Sequence, residues 1–196
     1  MSQYYYLAAQ LPGLTYGQNV PMTSVAFAEL AREHLAASDA EELERCTLAL
    51  ELPPTDNAAF SSSNEESGAA KEAKSQFVRK WKEWERTLRL NLARNRAKKL
   101  KREDGGFAWT ADYPFDAAAA ARAACAMESP LEAEIFLDKA RWDTIESLQG
   151  LDIFSMDSIL AYKLKLLLME RRMSFNTEEG YTEYKGLYAA ILGDQR

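Results

Sequence analysis

The 196-residue sequence has few of the residues on which several protein classes depend. It contains two cysteines, Cys46 and Cys125, and one histidine, His34. Two cysteines cannot build a disulfide framework, and a single histidine leaves the chain without the ligands of a His/Cys-rich metal site. Nine glycines and six prolines are few for an all-β protein, which uses these residues at its many turns. These shortages exclude disulfide-rich, zinc-type and all-β proteins.

Long apolar runs are also missing, because no uninterrupted stretch reaches about 18 residues, the length that a transmembrane helix needs. Residues 1–6, Met-Ser-Gln-Tyr-Tyr-Tyr, lack the positive n-region of a signal peptide. Apolar residues nevertheless make up 47% of the chain, which is enough for a core, and 28% of the residues are charged. We therefore expect a soluble, cytoplasmic protein, with attachment to the inner membrane through protein partners as the alternative.

Apolar residues recur at helical spacing along most of the chain. The clearest case is the stretch 69–102, which has no proline or glycine and repeats an apolar side chain every three or four residues at Phe77, Trp81, Trp84, Leu88 and Leu92. This pattern predicts one long helix with both tryptophans in the core. The segment 115–127 is rich in alanine and predicts a helix that approaches its neighbours closely. The mostly apolar segment 155–173 predicts the buried central helix.

Capping residues mark several predicted helix ends. Thr23 and Ser24 offer a hydroxyl to the helix that follows them, and residues 38–41, Ser-Asp-Ala-Glu, have the form of a capping box. Ser129 stands before a proline, the usual order at a helix start, and Gly150 is the predicted end of that helix.

The sequence predicts an all-α protein, a bundle of six to seven helices with one long basic helix. A polar, serine-rich stretch interrupts the helices and predicts two lobes: an N-terminal helical lobe at 1–53, a flexible linker loop at 54–68 and a C-terminal helical bundle at 69–196. The segment 4–11 fits either a short strand or a first helical turn, because periodicity over so few residues cannot distinguish them. A last helix is predicted from residue 176 or 177 to residue 192.

Charge is strongly segregated along the chain. The net charge is −6, yet residues 69–102 hold 13 lysines and arginines against three acids, whereas the rest of the chain holds 11 against 27. These cations either pair partly with acidic helices on a solvated face or form an adhesive surface for an acidic protein, an anionic lipid or nucleic acid. The acidic remainder and the absence of a helix-turn-helix or an aromatic sheet argue against nucleic acid.

The sequence offers no evident catalytic constellation. A hydrolytic nucleophile usually needs a histidine as its base. The one histidine of the sequence, His34, lies on a predicted polar face, and no neighbouring residues would complete a catalytic site with it. Glu132, Glu134 and Asp138 lie on one predicted helix, but a solvated face gives no reason for metal ligation, so a carboxylate enzyme is the weakest hypothesis. We expect a protein that is not an enzyme and has no cofactor and no small-molecule substrate.

Residues 4–14, YYYLAAQLPGL, are followed by Pro21 and by FAEL at 27–30, and residues 162–166, YKLKL, are followed by ERR at 170–172. With Phe175 and Gly180, these stretches resemble the beginning and end of an uncharacterised bacterial family encoded beside V/A-type ATPases. The second stretch, and the Asn/Leu/Arg-rich residues 89–96, are also similar to the central-stalk subunit that is called C in archaeal-type enzymes and d in eukaryotic ones.

The resemblance implies a non-catalytic structural or coupling subunit, or an assembly partner, of a bacterial V/A-type ATPase involved in ion transport. In that family such a subunit couples the rotor ring to the central shaft, so both are expected partners. The stalk subunit is much longer than this chain, which would be a reduced version or a distant analogue of it. The candidate partner-binding residues are the following cations: Arg86, Arg89, Arg94, Arg96, Lys98, Lys99, Lys163, Lys165, Arg171 and Arg172. The alternative function is a helical nucleic-acid-binding protein that uses the basic helix 69–102.

Overall fold

The computed structural model describes residues 4–48, 75–101, 114–173, 175 and 185. Within these ranges the chain forms seven helices and no strand, which confirms the predicted all-α bundle. The helices are α1 (Tyr5–Gln10), α2 (Ser24–His34), α3 (Ala37–Arg45), α4 (Gln76–Lys99), α5 (Phe115–Ala126), α6 (Pro130–Gln149) and α7 (Met156–Met173). The segment 4–11, for which the sequence left strand and helix open, therefore contains a short helix.

Helix α4 is the long basic helix, and its start is fixed by a side-chain cap. The Ser75 hydroxyl accepts bonds from the backbone N–H groups of Phe77 at 3.1 Å and Val78 at 3.4 Å, which satisfies two donors that have no partner inside the helix. The predicted apolar stripe is buried, including both tryptophans, Trp81 and Trp84. The prediction of core packing is therefore confirmed, and the structure adds that the two indole rings stack with centroids 5.8 Å apart.

The alanine-rich helix α5 packs along α4. Five of its alanines, Ala117, Ala118, Ala120, Ala121 and Ala124, are buried, and their small side chains let the two helices lie close together. The Trp84 indole N–H donates a 2.8 Å bond to the carboxylate of Asp116 in the first turn of α5. This bond gives the polar end of a buried indole its partner and fixes the register of the two helices.

Helix α7 is the central helix of the described part of the bundle, as predicted. It contacts α2, α3, α4 and α6, and seven of its residues are buried: Ile159, Leu160, Ala161, Leu164, Leu166, Leu168 and Met169. The N-terminal helices share one hydrophobic cluster with α4 to α7. The described parts of the two predicted lobes are thus in direct contact.

Most predicted caps are present, with one exception. Thr23 Oγ accepts from the Ala26 N–H, Ser129 Oγ accepts from the Glu132 N–H, and α6 ends at Gly150. The predicted capping box at 38–41 is wrong, because α3 begins at Ala37 after Ala36. The Ser38 hydroxyl instead donates to the carboxylate of its neighbour Asp39.

Three predictions fall wholly or partly outside the described residues. The linker at 54–68 lies outside them and stays a prediction. Of the last helix at 176–192, residue 185 alone is described and is helical, so the extent of that helix stays a prediction. The ends of the long basic helix at 69–74 and at 102 lie outside them as well, and the described helix covers 24 residues.

Candidate functional site

The basic residues predicted on α7 interact with the rest of the protein. Lys163 Nζ donates a 2.6 Å bond to the carbonyl of Leu43 at the end of α3, and burial lowers the pKa of Lys163 below its ordinary value. The guanidinium of Arg172 lies 4.9 Å from the centre of the Tyr16 ring. These contacts use two of the predicted partner-binding cations to hold the N-terminal segment against α7.

Lys165, two residues after Lys163, is also engaged. Its Nζ donates to Gln149 at 3.0 Å, lies 3.3 Å from the Glu146 carboxylate and sits 5.2 Å from the centre of the Trp142 ring. All three partners belong to α6, so Lys165 ties α6 to α7.

The cations of α4 divide into an inward and an outward set. Arg89 turns inward, where it donates to Glu85 at 3.0 Å and to the carbonyl of Leu48 at 3.3 Å, and Arg94 is half-buried. The exposed cations form two groups. We call Arg79, Lys80, Lys82 and Arg86 the N-terminal basic group, and Arg96, Lys98 and Lys99 the C-terminal basic group.

Within the part of the chain that the structure describes, the C-terminal basic group has one acidic partner. Arg96 lies 3.7 Å from the Glu134 carboxylate, and Lys99 donates to the carbonyl of Cys125 at 3.4 Å. Among the described residues, no ion pair involves Lys80, Lys82 or Lys98. The helix therefore presents a concentration of positive charge to solvent on a protein that is acidic overall.

A network of charged side chains crosses the interior between α4, α6 and α7. At its centre, the carboxylate of Glu85 receives two bonds from the guanidinium of Arg141, from Nε at 3.1 Å and from Nη2 at 3.2 Å. Glu85 is 2% exposed and Arg141 is 4% exposed. A bidentate arginine–carboxylate pair of this kind is geometrically specific, and in the interior it is screened little by solvent.

The network continues through Asp138, which is 1% exposed. Its Oδ1 accepts a 3.1 Å bond from Arg141 Nη1 and a second bond from Arg171 Nη1. Arg171 Nη2 also donates to Glu134 at 2.9 Å. Five charged side chains thus join the middle of α4 to the middle of α6 and to the last turn of α7.

One oxygen of this network has no hydrogen-bond partner among the described residues. Asp138 Oδ2 is buried without a hydrogen bond in the described part of the chain. Burial raises the pKa of the Asp138 carboxyl, although the positive charges of Arg171 and Arg141 oppose this rise. Burial also disfavours the charged form of Arg141, but the pKa of this guanidinium is raised overall by Glu85 and Asp138.

The structure corrects the view that the carboxylates of α6 lie on a solvated face. Asp138 is buried and Glu134 is half-buried, whereas Glu132 is exposed. The network was not predicted from the sequence, because its members were interpreted as charges on a solvated surface. A signal existed, since Glu85 stands inside the apolar stripe of α4, and Arg141 lies four residues from Leu137 and from Ile145, both buried. Opposite charges at core positions of two helices predict a buried pair.

His34, Cys46 and the acidic side chains are the described residues on which catalytic or metal-binding chemistry would depend. Across the described ranges, no group of three His, Cys, Asp or Glu side chains is placed to hold a metal ion. His34 is half-buried, with its Nε2 3.1 Å from the Gln10 amide nitrogen. Burial raises the pKa of the Cys46 thiol to about 12, so this cysteine is a poor nucleophile near neutral pH. None of the described helices is long and apolar enough to cross a membrane.

Comparison with known proteins gives one family match. Residues 124–192 match a family described as a protein of unknown function, DUF2764. This region includes α6, α7 and the network residues Glu134, Asp138, Arg141 and Arg171. Neither the characterised proteins nor the solved structures gave a significant match to the chain.

Proposed function

We propose that the protein is a non-catalytic structural or coupling subunit, or an assembly partner, of a bacterial V/A-type ATPase. The proposal starts from the two stretches that resemble the family encoded beside these ATPases, at residues 4–14 and 162–166. The resemblance of the second stretch and of residues 89–96 to a central-stalk subunit makes the central shaft and the rotor ring the partners to test first.

The observation that carries the proposal is the contact between these two stretches. They are about 150 residues apart in the chain, yet the Tyr162 hydroxyl donates a 3.0 Å bond to the carbonyl of Pro12. The Tyr162 ring also packs on Phe27, with ring centres 5.1 Å apart. A contact between the two resembling stretches is what a fold core shared with that family would require.

Further contacts join the same parts of the chain. The backbone N–H of Ser24 at the start of α2 donates a 2.6 Å bond to the Glu170 carboxylate, which belongs to the ERR stretch at 170–172. A negative charge at a helix N-terminus is favoured by the helix dipole. Arg172 of the same stretch lies over Tyr16. Two residues of the ERR stretch, Glu170 and Arg172, thus contact the N-terminal segment.

The exposed basic groups of α4 are the proposed docking residues. Of the cations first considered, Arg86, Arg96, Lys98 and Lys99 are exposed, whereas Arg89 and the four cations of α7 bind within the protein. A partner with an acidic surface would find its complement here, and electrostatic attraction of this kind raises association rates strongly at low salt.

The test is co-purification from the native host with a tagged chain, followed by identification of the bound proteins. We expect ATPase subunits to co-purify with the wild type. The substitutions Lys98→Glu and Lys99→Glu in the C-terminal basic group should reduce the recovery of ATPase subunits at least about tenfold, since like charges across an interface cost several kcal/mol. Arg32→Glu with Arg122→Glu is the matched control, because both arginines are exposed on other helices.

Two results would contradict the proposal. One is a wild-type preparation that contains no ATPase subunit. The other is a deletion strain in which the ATPase is fully assembled and couples ATP hydrolysis to ion transport as in the parent strain.

The exposed cations of α4 also favour a second candidate, a helical nucleic-acid-binding protein. Each phosphate that these cations neutralise would add about 0.9 to the slope of log affinity against log salt on duplex DNA. Fluorescence anisotropy with a labelled duplex and a labelled single strand tests this alternative. Binding that weakens steeply with salt and is lost in the Lys98→Glu, Lys99→Glu variant supports it, and no binding at about 50 mM salt removes it.

A further inference from the structure

The turn between α6 and α7 presents apolar side chains to solvent next to the exposed face of α1. Leu151 is fully exposed and Ile153 is 58% exposed, while Tyr6 on α1 is 65% exposed. The Tyr5 ring packs on Phe154 with centroids 5.0 Å apart, so the two elements form one continuous surface. We call the surface made by Tyr5, Tyr6, Leu151, Ile153 and Phe154 the apolar end patch.

Local hydrogen bonds hold this turn in its shape. The Asp152 carboxylate accepts a 2.9 Å bond from the Phe154 N–H, and the Ser155 hydroxyl donates a 2.8 Å bond to the Asp152 carbonyl. Gly150 has φ +71°, a backbone conformation that suits glycine. The exposure of Leu151 and Ile153 is thus built into the turn. A contiguous exposed apolar surface on a globular protein commonly marks an interaction site.

The apolar end patch continues into a groove of about 390 Å³. Ile153 and Phe154 belong to both the patch and the groove, and Leu11, Leu14 and Ile159 add further apolar lining. The groove is open to solvent, whereas a site for a small molecule encloses most of its ligand. An open apolar groove beside an exposed apolar patch suits the anchoring side chains of a helix, which recur every three or four residues.

The charged residues at the edge of this surface indicate which kind of partner can bind there. Lys165 is the one cation among the described residues that line the groove, and Glu146 lies 3.3 Å from it. Asp152 is exposed between Leu151 and Ile153, and among the described residues it has no ion pair. These two carboxylates and one ammonium group give the edge a net negative charge. Acidic groups repel an anionic lipid surface, and a second copy of the chain would bring the same acids together.

We propose that the apolar end patch and its groove are a docking site for an amphipathic helix of a partner protein, whose apolar face is flanked by lysine or arginine. This site is distinct from the two basic groups of α4. It would bind a basic helix, whereas the basic groups would bind an acidic partner. The inference does not depend on the identity of the assembly proposed above.

The direct test uses a synthetic probe with the chemistry of the proposed partner. The probe is a fluorescein-labelled leucine/lysine amphipathic peptide of about 18 residues, or five helical turns, and its comparison peptide carries glutamate in place of lysine. We expect saturable binding of the lysine peptide to the full chain by fluorescence anisotropy. The glutamate peptide should bind at least about tenfold more weakly.

The variant Leu151→Ser with Ile153→Ser removes the two most protruding side chains of the turn. We expect it to weaken binding of the lysine peptide at least about tenfold, because exposed apolar anchors at the centre of a contact carry most of its affinity. The matched control is Val25→Ser with Leu131→Ser, since both residues are exposed apolar side chains on other helices. All four positions are exposed, so both variants should fold as the wild type does, which circular dichroism verifies.

Several results would overturn the inference. Binding below detection at about 1 mM peptide, equal binding of the two peptides, or equal loss in the control variant would each do so. Dimerisation in sedimentation equilibrium that the Leu151→Ser, Ile153→Ser variant abolishes would instead assign the surface to a second copy. Co-sedimentation with anionic vesicles that depends on the same two residues would assign it to a membrane.

Discussion

Replacing Glu85 by glutamine tests whether the interior network holds the bundle together. The glutamine keeps the size of the side chain but removes its negative charge at the centre of the network. Glu85 accepts bonds from Arg141 Nε, Arg141 Nη2 and Arg89 Nε at 3.1, 3.2 and 3.0 Å. The amide of glutamine offers one acceptor and turns an N–H₂ group toward a guanidinium, so at least one of these bonds is replaced by repulsion.

The expected loss of stability follows from the burial of the pair. Removing one partner of a buried ion pair costs about 3–5 kcal/mol, because the remaining charge stays buried without compensation. Arg141 keeps its bond to Asp138, which places the expected loss for Glu85→Gln at the lower end, about 3 kcal/mol. For a chain of this length each kcal/mol lowers Tm by about 2–4 °C, so the midpoint should fall by about 6–12 °C.

The assay is urea unfolding followed by far-UV circular dichroism and by tryptophan fluorescence. The matched control is Glu44→Gln, because the Glu44 carboxylate pairs with Arg32 at 3.4 Å on the surface, where both side chains are more than half exposed. The control should change stability by less than about 0.5 kcal/mol. If Glu85→Gln stays within about 1 kcal/mol of the wild type, the buried network does not stabilise the fold and the reasoning is refuted.

Four smaller predictions address the remaining chemistry and the helix ends. Iodoacetamide at pH 8 should modify the half-buried Cys125 and leave Cys46 unmodified, as peptide mass spectrometry would detect. Burial raises the pKa of the Cys46 thiol to about 12, so the folded protein keeps the thiol proton at pH values where the unfolded chain has lost it. The free energy of unfolding should therefore fall as the pH rises from about 9 toward 12. The variant Cys46→Ala should reduce this fall by up to about 1.4 kcal/mol per pH unit. Ser129→Ala should lower the free energy of unfolding in urea by about 1 kcal/mol, because the bond from the Glu132 N–H is lost. Gly150→Ala should lower it by a similar amount, because φ is +71° at this position. An unchanged unfolding midpoint would contradict either value.

Periodicity predicted the helices well where an apolar stripe was long and uninterrupted. The stripe of α4 from Phe77 to Leu92 and the apolar segment of α7 were both assigned to the core, and both are buried. The start of α6 was also correct, since Ser129 before a proline has a local cause that needs no tertiary contact. The predicted start of α3 was wrong. A capping box and an acidic first turn contain the same residue types, so the sequence alone does not distinguish them.

The interior network could not be found by treating charge as a surface property. Glu85 and Arg89 lie in the stretch 69–102, where 13 cations suggested a single docking face. The structure divides these cations, since Arg89 turns inward to Glu85 of its own helix, whereas the exposed Arg96 lies 3.7 Å from Glu134 of α6. Which cation meets which carboxylate depends on how α4, α6 and α7 are oriented, and that orientation is set by packing between distant segments.

A connector between two proteins needs binding surfaces that keep a fixed distance, and the described helices meet that need in a specific way. The basic groups lie on α4, and the apolar end patch lies at the turn that joins α6 to α7. Arg141 binds Glu85 of α4 in a bidentate manner, and Arg171 ties the last turn of α7 to α6. Because a bidentate pair restricts rotation as well as separation, rotating α4 against α6 would break two charged hydrogen bonds together. Under the proposed function, the network therefore matters for transmitting force between partners as well as for stability, and Glu85→Gln should weaken coupling even where both surfaces still bind.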